Sequence, residues 1–369
     1  MLDHPAGQRV VLTEWGEAPK DALREHMRLE PQPCPDPATL DDRDVLIRVR
    51  SCAVGWVDLL MSSGQYQHMV HPPYTPGLEF AGEVLWTGAA VSSVAVGDPV
   101  LADGFLTGPR SSGAHQRWGG FATYAVLPEA AAMPLAAGLS FDQGVNLLGN
   151  YETAYHVLAA RGRLAPGEFA LINGATGSTG LAAVPVAKLL GATVIATGRS
   201  ADKLAEVAAQ GADHVLALDD GEGGVLPFRD QVKALTGGNG VHLVYDGVGG
   251  PISVESIRSM RFGGRFCIVG WAATPFVARG KGRRGAPNVN TLPTNLIQMK
   301  GLEVLGCPAV IATLHDPALR PARLAWIRER VAEGRLRPHV GPVYPLPDFA
   351  EALTAKWHSR HVGGCVLHP

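Results

Sequence analysis

The chain has 369 residues, enough for two domains with separate cores. It is 46% hydrophobic and 18% charged, the balance of an ordinary globular protein. A formal net charge of −2 lacks the basic footprint that nucleic-acid binding needs, and no apolar run is long enough for a membrane span, so neither is an expected partner.

Taken in order, the N-terminal third reads as short strands between Gly/Pro turns. No charged n-region and apolar h-region precede the first strand, Arg9–Trp15, so no signal peptide is expected. Residues 31–37 (PQPCPDP) form a proline-laden connector. Val45–Val49 alternates, with Val45, Ile47 and Val49 on one face and Arg48 and Arg50 on the other, as in a half-buried strand. Strands follow at Ala81–Trp86 and Val94–Val100, the second broken by a Gly97-Asp98 turn. The loop Thr107–Gly119 reads as a lid or an exposed insertion. With Phe121–Val126 these strands predict a small barrel-like domain. The five cysteines, Cys34, Cys52, Cys267, Cys307 and Cys365, stand in no C-x-x-C spacing. Free thiols in a reducing compartment, the cytoplasm, are expected.

The character changes at Ser140, where Ser140 and Gln143 fit a capping box around Phe141. From Ala165 the chain alternates. Strands are predicted at Phe169–Ile172, Thr193–Ala196, Val215–Leu218, Val241–Tyr245 and Arg265–Val269, with helices at 178–190, 201–210, 228–235 and 251–260. That order predicts an α/β fold with a doubly wound parallel sheet, Leu302–Leu305 closing its edge. Residues 317–333 form a last long helix, and His339–Pro369 returns to short strands that rejoin the first domain. Pro185, mid-helix, predicts a kink costing about 3 kcal/mol.

The chain is organised around Phe169–Lys203. A strand leads into Gly174, Gly177 and Gly180, a helix follows, then a second strand. This context makes the glycines a dinucleotide site: bare backbone approaches a pyrophosphate at a helix N-terminus. The second strand ends at Thr197-Gly198-Arg199-Ser200. An NAD site places an acid there; here the position is Gly198, with Arg199 and Lys203 close by. Cations attract a 2′-phosphate, so NADPH is favoured over NADH. The other reading of Arg199 and Lys203 is a solvated helix start capped by Ser200.

With these motifs the sequence resembles the zinc-independent, quinone-oxidoreductase-like branch of the medium-chain dehydrogenase/reductase superfamily, over nearly its whole length. Ala175-Thr176-Gly177-Ser178-Thr179-Gly180 matches A-x-G-x-x-G, Gly211–Val215 matches G-A-D-H-V, Asp246 with Val248-Gly249-Gly250 matches D-x-V-G-G, and Gly334–Pro338 with Tyr344-Pro345-Leu346 match the C-terminal pattern. The resemblance implies a GroES-like β-rich catalytic domain over 1–149, a Rossmann NADPH-binding domain over 150–306, and a return to the catalytic domain over 307–369. It implies a substrate cleft between them and homodimers joined through Leu302–Leu305. Cofactor contacts are implied for Ala175, Thr176, Gly177, Ser178 and Thr179, for Gly198, Arg199 and Lys203, for Gly270 and Trp271 at the end of the fifth strand, and for Tyr151 and Thr153. These last match Y-G-T-A, with Glu152 in place of glycine.

The zinc branch needs a cysteine where this chain has Gly55 and a histidine where it has Leu78; Cys52 comes three residues too early, and the 13 histidines are dispersed. No metal is expected, which leaves reduction of an already activated acceptor. Gly55-Trp56-Val57-Asp58 stands where the family has N-P-V-D: Asp58 is retained and Trp56 is a candidate wall of the cleft. Ser63–Tyr66 matches S-G-x-Y and makes Tyr66 the candidate phenol facing substrate, its other reading being a partly buried structural tyrosine. Leu218 replaces a family tyrosine near the 2′-phosphate and Gly363-Gly364 a final G-K, which puts more weight on Arg199 and Lys203. The loop with Arg279, Lys281, Arg283 and Arg284 reads as solvated surface, or as a phosphate-reading loop for a coenzyme A thioester. The expected function is NADPH-dependent reduction of a small-molecule quinone or α,β-unsaturated carbonyl compound. The alternatives are an enoyl-thioester reductase and a catalytically idle NADPH-binding partner surface.

Overall fold

The structure, a computed structural model, describes residues 4–68, 70–219, 221–222, 224–273, 280–281, 283 and 290–369. They divide into two compact units, one drawn from residues 1–148, 278–285 and 337–369, the other from 149–277 and 286–336.

The first unit contains β1 (Gly7–Leu12), β2 (Met27–Gln32), β3 (Asp44–Ala53), β4 (Glu79–Thr87), β5 (Pro99–Ala102), β6 (Tyr124–Pro128) and β7 (Ala132–Pro134), then β14 (Val343–Pro345) and β15 (Val366–His368) from the end of the chain. β3 is its centre: it pairs along its length with β4, with β6 over Asp44–Arg48 and with β15 at Cys52 and Ala53. Flanked in this way, β3 is not half-buried as its alternation predicts. Val45 and Ile47 enter the main core, while Leu46 is equally inaccessible and packs with Tyr124 and Val126 in a second cluster. The alternation survives only around Arg50, which reaches Glu83 at 2.8 Å.

Three other expectations shift. Part of the proline connector is strand, because Pro31 and Gln32 pair with β1. The strand expected at Val94–Val100 begins only at Pro99, the residues before it being tied into a turn by the Ala95 N–H on the Asp98 carboxylate at 2.8 Å. Thr107–Gly119 is exposed only in part: Ser112, Gly113, Ala114 and Arg117 are exposed, but Thr107 and Ser111 are buried and His115 Nε2 meets Asp44 at 2.8 Å.

The second unit contains β8 (Phe169–Asn173), β9 (Thr193–Gly198), β10 (His214–Ala217), β11 (Val241–Asp246), β12 (Met260–Ile268) and β13 (Glu303–Gly306). All are parallel, in the order β10-β9-β8-β11-β12-β13. The inner strands are apolar because helices cover both faces of such a sheet; Leu171, Ile195, Val244 and Phe266 share one cluster. The winding reverses between β8 and β11, which creates the crevice at their carboxyl ends where ligands bind in this class of sheet. The helix Ser178–Leu189 continues through Pro185 as one uninterrupted element. Helices Ala309–His315 and Leu319–Ala332 belong to this unit, so the expected return at residue 307 falls at Arg337.

Candidate functional site

The cofactor-side residues converge at the carboxyl ends of β8 and β9. The turn after β8 is anchored by the Ala175 N–H on the Thr197 carbonyl (3.0 Å) and the Gly177 N–H on the Gly174 carbonyl (2.9 Å). Gly177 caps the helix beginning at Ser178 with extended backbone and no side-chain hydrogen bond. The first N–H groups of a helix have no partner within it and carry its positive end, so this terminus suits a diphosphate. Gly180 brings helix and strand together: a Cβ there would lie 2.4 Å from the Gly174 carbonyl oxygen. Gly198 is buried at the end of β9, where a Cβ would meet the Thr176 methyl at 3.0 Å. Arg199 is exposed beyond it. Ser200 caps the next helix by accepting from the Lys203 N–H at 3.4 Å. The Lys203 ammonium is pushed below the usual lysine range by burial and, less, by the charge of Arg199. Leu218 is buried and supplies no polar atom.

A hydrogen-bonded network holds the ends of β8, β9 and β11 in register. The Asn173 amide donates to Ser256 (2.8 Å) and Asp246 (3.4 Å), and the Thr197 hydroxyl donates to Asn173 (3.1 Å). Asp246 accepts from the Val248 and Gly249 N–H groups (3.0 and 3.2 Å) and the Ser253 hydroxyl (2.5 Å). The D-x-V-G-G match thus has a physical role: the carboxylate shapes the turn after β11. The Asp246 carbonyl accepts from Val269 and Gly270, which lays Gly270 and Trp271 beside that turn; Trp271 remains 48% exposed. The role of Asn173 has no signal in the sequence, where it only follows the apolar run Phe169–Ile172.

Tyr151 and Thr153 lie on the helix Leu148–Tyr155. The Tyr151 ring is buried, and the Thr153 hydroxyl donates to the Gly149 carbonyl at 2.7 Å. Glu152 between them is also buried. It accepts from Arg320 (3.0 Å) and Arg323 (2.8 Å), while Arg323 donates onward to the Thr313 hydroxyl (2.7 Å). The family glycine at this position is replaced by a carboxylate with its own pair of guanidinium partners.

In the first unit, Trp56 and Tyr66 both pack against the main core, and Trp56, Asp58 and Tyr66 have different partners. Asp58 is a clamp: its two oxygens accept from the Gly55 N–H (2.9 Å) and the Gly77 N–H (3.0 Å). Burial pushes its carboxyl up to about 6 despite those donors. Trp56 stacks on Trp357, ring centroids 5.3 Å apart and nearly parallel. Tyr66 is half-buried, its ring 5.8 Å from that of His68, and burial raises its phenol above the ordinary range. Arg110, inside the Thr107–Gly119 loop, reaches Glu79 at 3.3 Å with its side chain only 8% exposed. Arg110 carries no local motif, and folding places it against Glu79 and the Phe105 ring. Gly55 offers a backbone N–H and Leu78 a buried apolar side chain where the zinc branch has ligands, and the Cys52 thiol is buried and raised well above the usual range. Of the basic loop, Lys281 and Arg283 are described and both pair with Glu17; Arg279 and Arg284 lie outside the described residues.

A catalytic unit of short antiparallel strands and a Rossmann unit with a glycine turn define a class of nucleotide-dependent oxidoreductases. Two family profiles match the chain: "Alcohol dehydrogenase GroES-like domain" over residues 41–137 and "Zinc-binding dehydrogenase" over residues 178–310. The mouse quinone oxidoreductase-like protein 2 is 29% identical over 332 residues, covering 90% of this chain and 86% of the relative. The pig quinone oxidoreductase is 30% identical over 326 residues, 88% and 89% of the two chains. A quinone oxidoreductase of Thermus thermophilus, solved alone and with NADPH, superposes with a TM-score of 0.73 at 26% identity, covering 98% of this chain and 100% of that one. The protein belongs to the quinone-oxidoreductase-like branch of the medium-chain dehydrogenase/reductase superfamily.

Proposed function

We propose that this oxidoreductase uses NADPH to reduce quinones or α,β-unsaturated carbonyl compounds, without zinc. The observation that carries the proposal is the end of β9, where a buried glycine replaces the ribose-binding acid, Arg199 follows it exposed, and Lys203 lies one turn on, at the start of the helix that Ser200 caps. The Thermus relative bound to NADPH and the quinone oxidoreductase from pig point the same way.

The residues present fit the dinucleotide: the helix terminus at Gly177, which has no side-chain cap, would receive the diphosphate, and Arg199 and Lys203 would receive the 2′-phosphate. They do not fit zinc. Gly55 and Leu78 lack ligand atoms, and among the described residues no group of three or more His, Cys, Asp or Glu side chains is placed to hold a metal. When bound, NADPH supplies the hydride. The chain's own part is to hold the phosphates with backbone N–H groups, Arg199 and Lys203, and to donate a hydrogen bond from Tyr66 to the acceptor's carbonyl oxygen. Trp56, stacked on Trp357, is a rigid apolar wall, and Asp58 fixes the turn that carries it.

The same reading takes the protein as a cytoplasmic homodimer. β13 is the edge of its sheet, with Val304 37% exposed, and a second copy would pair there. The basic loop gives the thioester alternative little support, since Lys281 and Arg283 are engaged with Glu17.

Fluorescence titration with NADPH and NADH tests the assignment. The double variant R199A/K203A is expected to weaken NADPH binding by about 10- to 100-fold, as loss of charge-assisted hydrogen bonds does, and to leave NADH binding unchanged. Equal effects on both dinucleotides would remove the 2′-phosphate role.

A further inference from the structure

A cavity of about 510 Å³ opens at the amino ends of β8, β11, β12 and β13, wholly within the second unit. The glycine turn follows the other end of β8, a five-residue strand, so roughly 15 Å separates the two. The cavity is therefore distinct from the dinucleotide site. One of its walls is a bulge. From Val241 to Leu243 β11 advances two residues, while β12 advances five, from Met260 to Arg265. The surplus pushes Arg261, Phe262 and Gly263 out of the ladder and into the cavity wall, leaving Phe262 76% exposed. Three guanidinium groups and two carboxylates line the space. Arg265 takes Glu168 with two contacts at 2.6 Å, and Arg163 takes Glu303 at 2.6 Å. Arg261 is left over. Among the described residues it meets no carboxylate, and its contact is with His242 Nε2, at 2.5 Å. The other ring nitrogen, Nδ1, faces the Phe169 N–H at 3.1 Å. A neutral imidazole has one acceptor nitrogen and one N–H, so in either tautomer one ring N–H points at another donor. Protonation gives no relief, because the imidazolium has no acceptor nitrogen; burial and the Arg261 charge hold the ring below its usual range. An acceptor in the cavity would resolve the conflict. Nδ1 would accept from Phe169, and the Nε2–H and the Arg261 guanidinium would both donate to the newcomer.

We propose that this cavity is a second, non-catalytic binding site for a small organic carboxylate with a flat apolar body, its carboxylate held by Arg261 and the Nε2–H of His242 and its body lying on the Phe262 ring. The charge count sets the class. Three guanidinium groups against two carboxylates leave one negative charge to be supplied. A phosphate dianion would exceed it and would sit beside Glu168 and Glu303. A carboxylate matches the guanidinium fork, as the Arg265–Glu168 pair in the same wall already shows. The volume is far larger than a carboxylate alone, so the remaining space belongs to the rest of the ligand. Phe262 is the aromatic face at that space, and an aromatic ring gains by covering another. The site does not depend on the reductase reading.

The probe is 2-naphthoate, a fluorescent carboxylate with a flat body, titrated against the full chain with and without saturating NADPH. Wild type is expected to bind it saturably and equally in both conditions, and to bind the neutral 2-naphthalenemethanol at least about tenfold more weakly. R261M is expected to weaken 2-naphthoate by about 10- to 100-fold, as loss of charge-assisted hydrogen bonds does, and R261K to keep part of the affinity. F262A is expected to weaken it by about two- to tenfold. NADPH affinity is expected to be unchanged in all three variants. A second readout locates the probe: the His242 ring proton resonance, identified by its loss in H242N, is expected to move on addition of 2-naphthoate to wild type. Affinity for 2-naphthoate in R261M within about twofold of wild type, or a His242 resonance that stays in place at saturation, would overturn the site. Loss of 2-naphthoate binding at saturating NADPH would assign the probe to the dinucleotide site and overturn the proposal as well. Displacement of the probe by inorganic phosphate at a lower concentration than by benzoate would overturn the carboxylate class. Binding of 2-naphthoate that depends on Arg261, in a protein that takes no NADPH, would uphold this site and overturn the cofactor reading.

Discussion

At the scale of single residues, the chemistry of the first unit turns on which polar atoms are satisfied. Asp58 satisfies two backbone N–H groups and is itself buried, so it is a structural carboxylate with an unusual titration. Its folded-state pKa of about 6 stands above the ordinary 3.8. The native state therefore binds this proton more readily than the unfolded chain, and the group's contribution to stability is full below about pH 4 and lost as pH rises through 6. In urea unfolding, the stability of wild type relative to D58N is expected to fall by up to about 3 kcal/mol between pH 4 and pH 7. A difference that stays constant over that range would refute the assignment. Asp58 was legible in the sequence as a retained family position, but its clamp was not. Its partner N–H groups belong to Gly55 and to Gly77, and the second contact is set by tertiary folding. Arg110 was illegible for the same reason: an arginine in a glycine-rich loop has no pattern, and burial against Glu79 is what gives it meaning.

At the scale of elements, the glycine turn, its helix and the alternation of strand and helix could be read directly. An apolar run buried on both faces and a glycine that admits close approach leave local marks in sequence. The helix Ser178–Leu189 runs on through Pro185 as one element. Glu152 shows the limit of local reasoning. As a departure from Y-G-T-A it looked only like a lost small residue, yet two arginines on the helix Leu319–Ala332 neutralise it. This triad fastens the helix carrying Tyr151 and Thr153 to the last long helix of the unit. Removing the carboxylate would leave two cations in the interior, Arg323 being 2% exposed. E152A is accordingly expected to cost about 3–5 kcal/mol in chemical denaturation. A loss below about 1 kcal/mol would mean that solvent or another group compensates the arginines.

At the scale of the whole molecule, the chain makes a catalytic unit, builds a dinucleotide unit, and returns after Leu336 to complete the first with β14 and β15. The two-unit plan was legible because hydrophobic periodicity changes near Ser140. The position of the return was not, because the helices Ala309–His315 and Leu319–Ala332 carry no mark of which sheet they cover. The central claim is that the Rossmann unit selects NADPH and that the catalytic unit reduces an activated acceptor without a metal. The most direct test is NADPH oxidation with one quinone and one enone, after treatment with a strong chelator and dialysis, alongside the same reactions with NADH. The expected result is turnover that survives chelation and prefers NADPH. Activity abolished by the chelator and restored by zinc, or a clear preference for NADH, would contradict it.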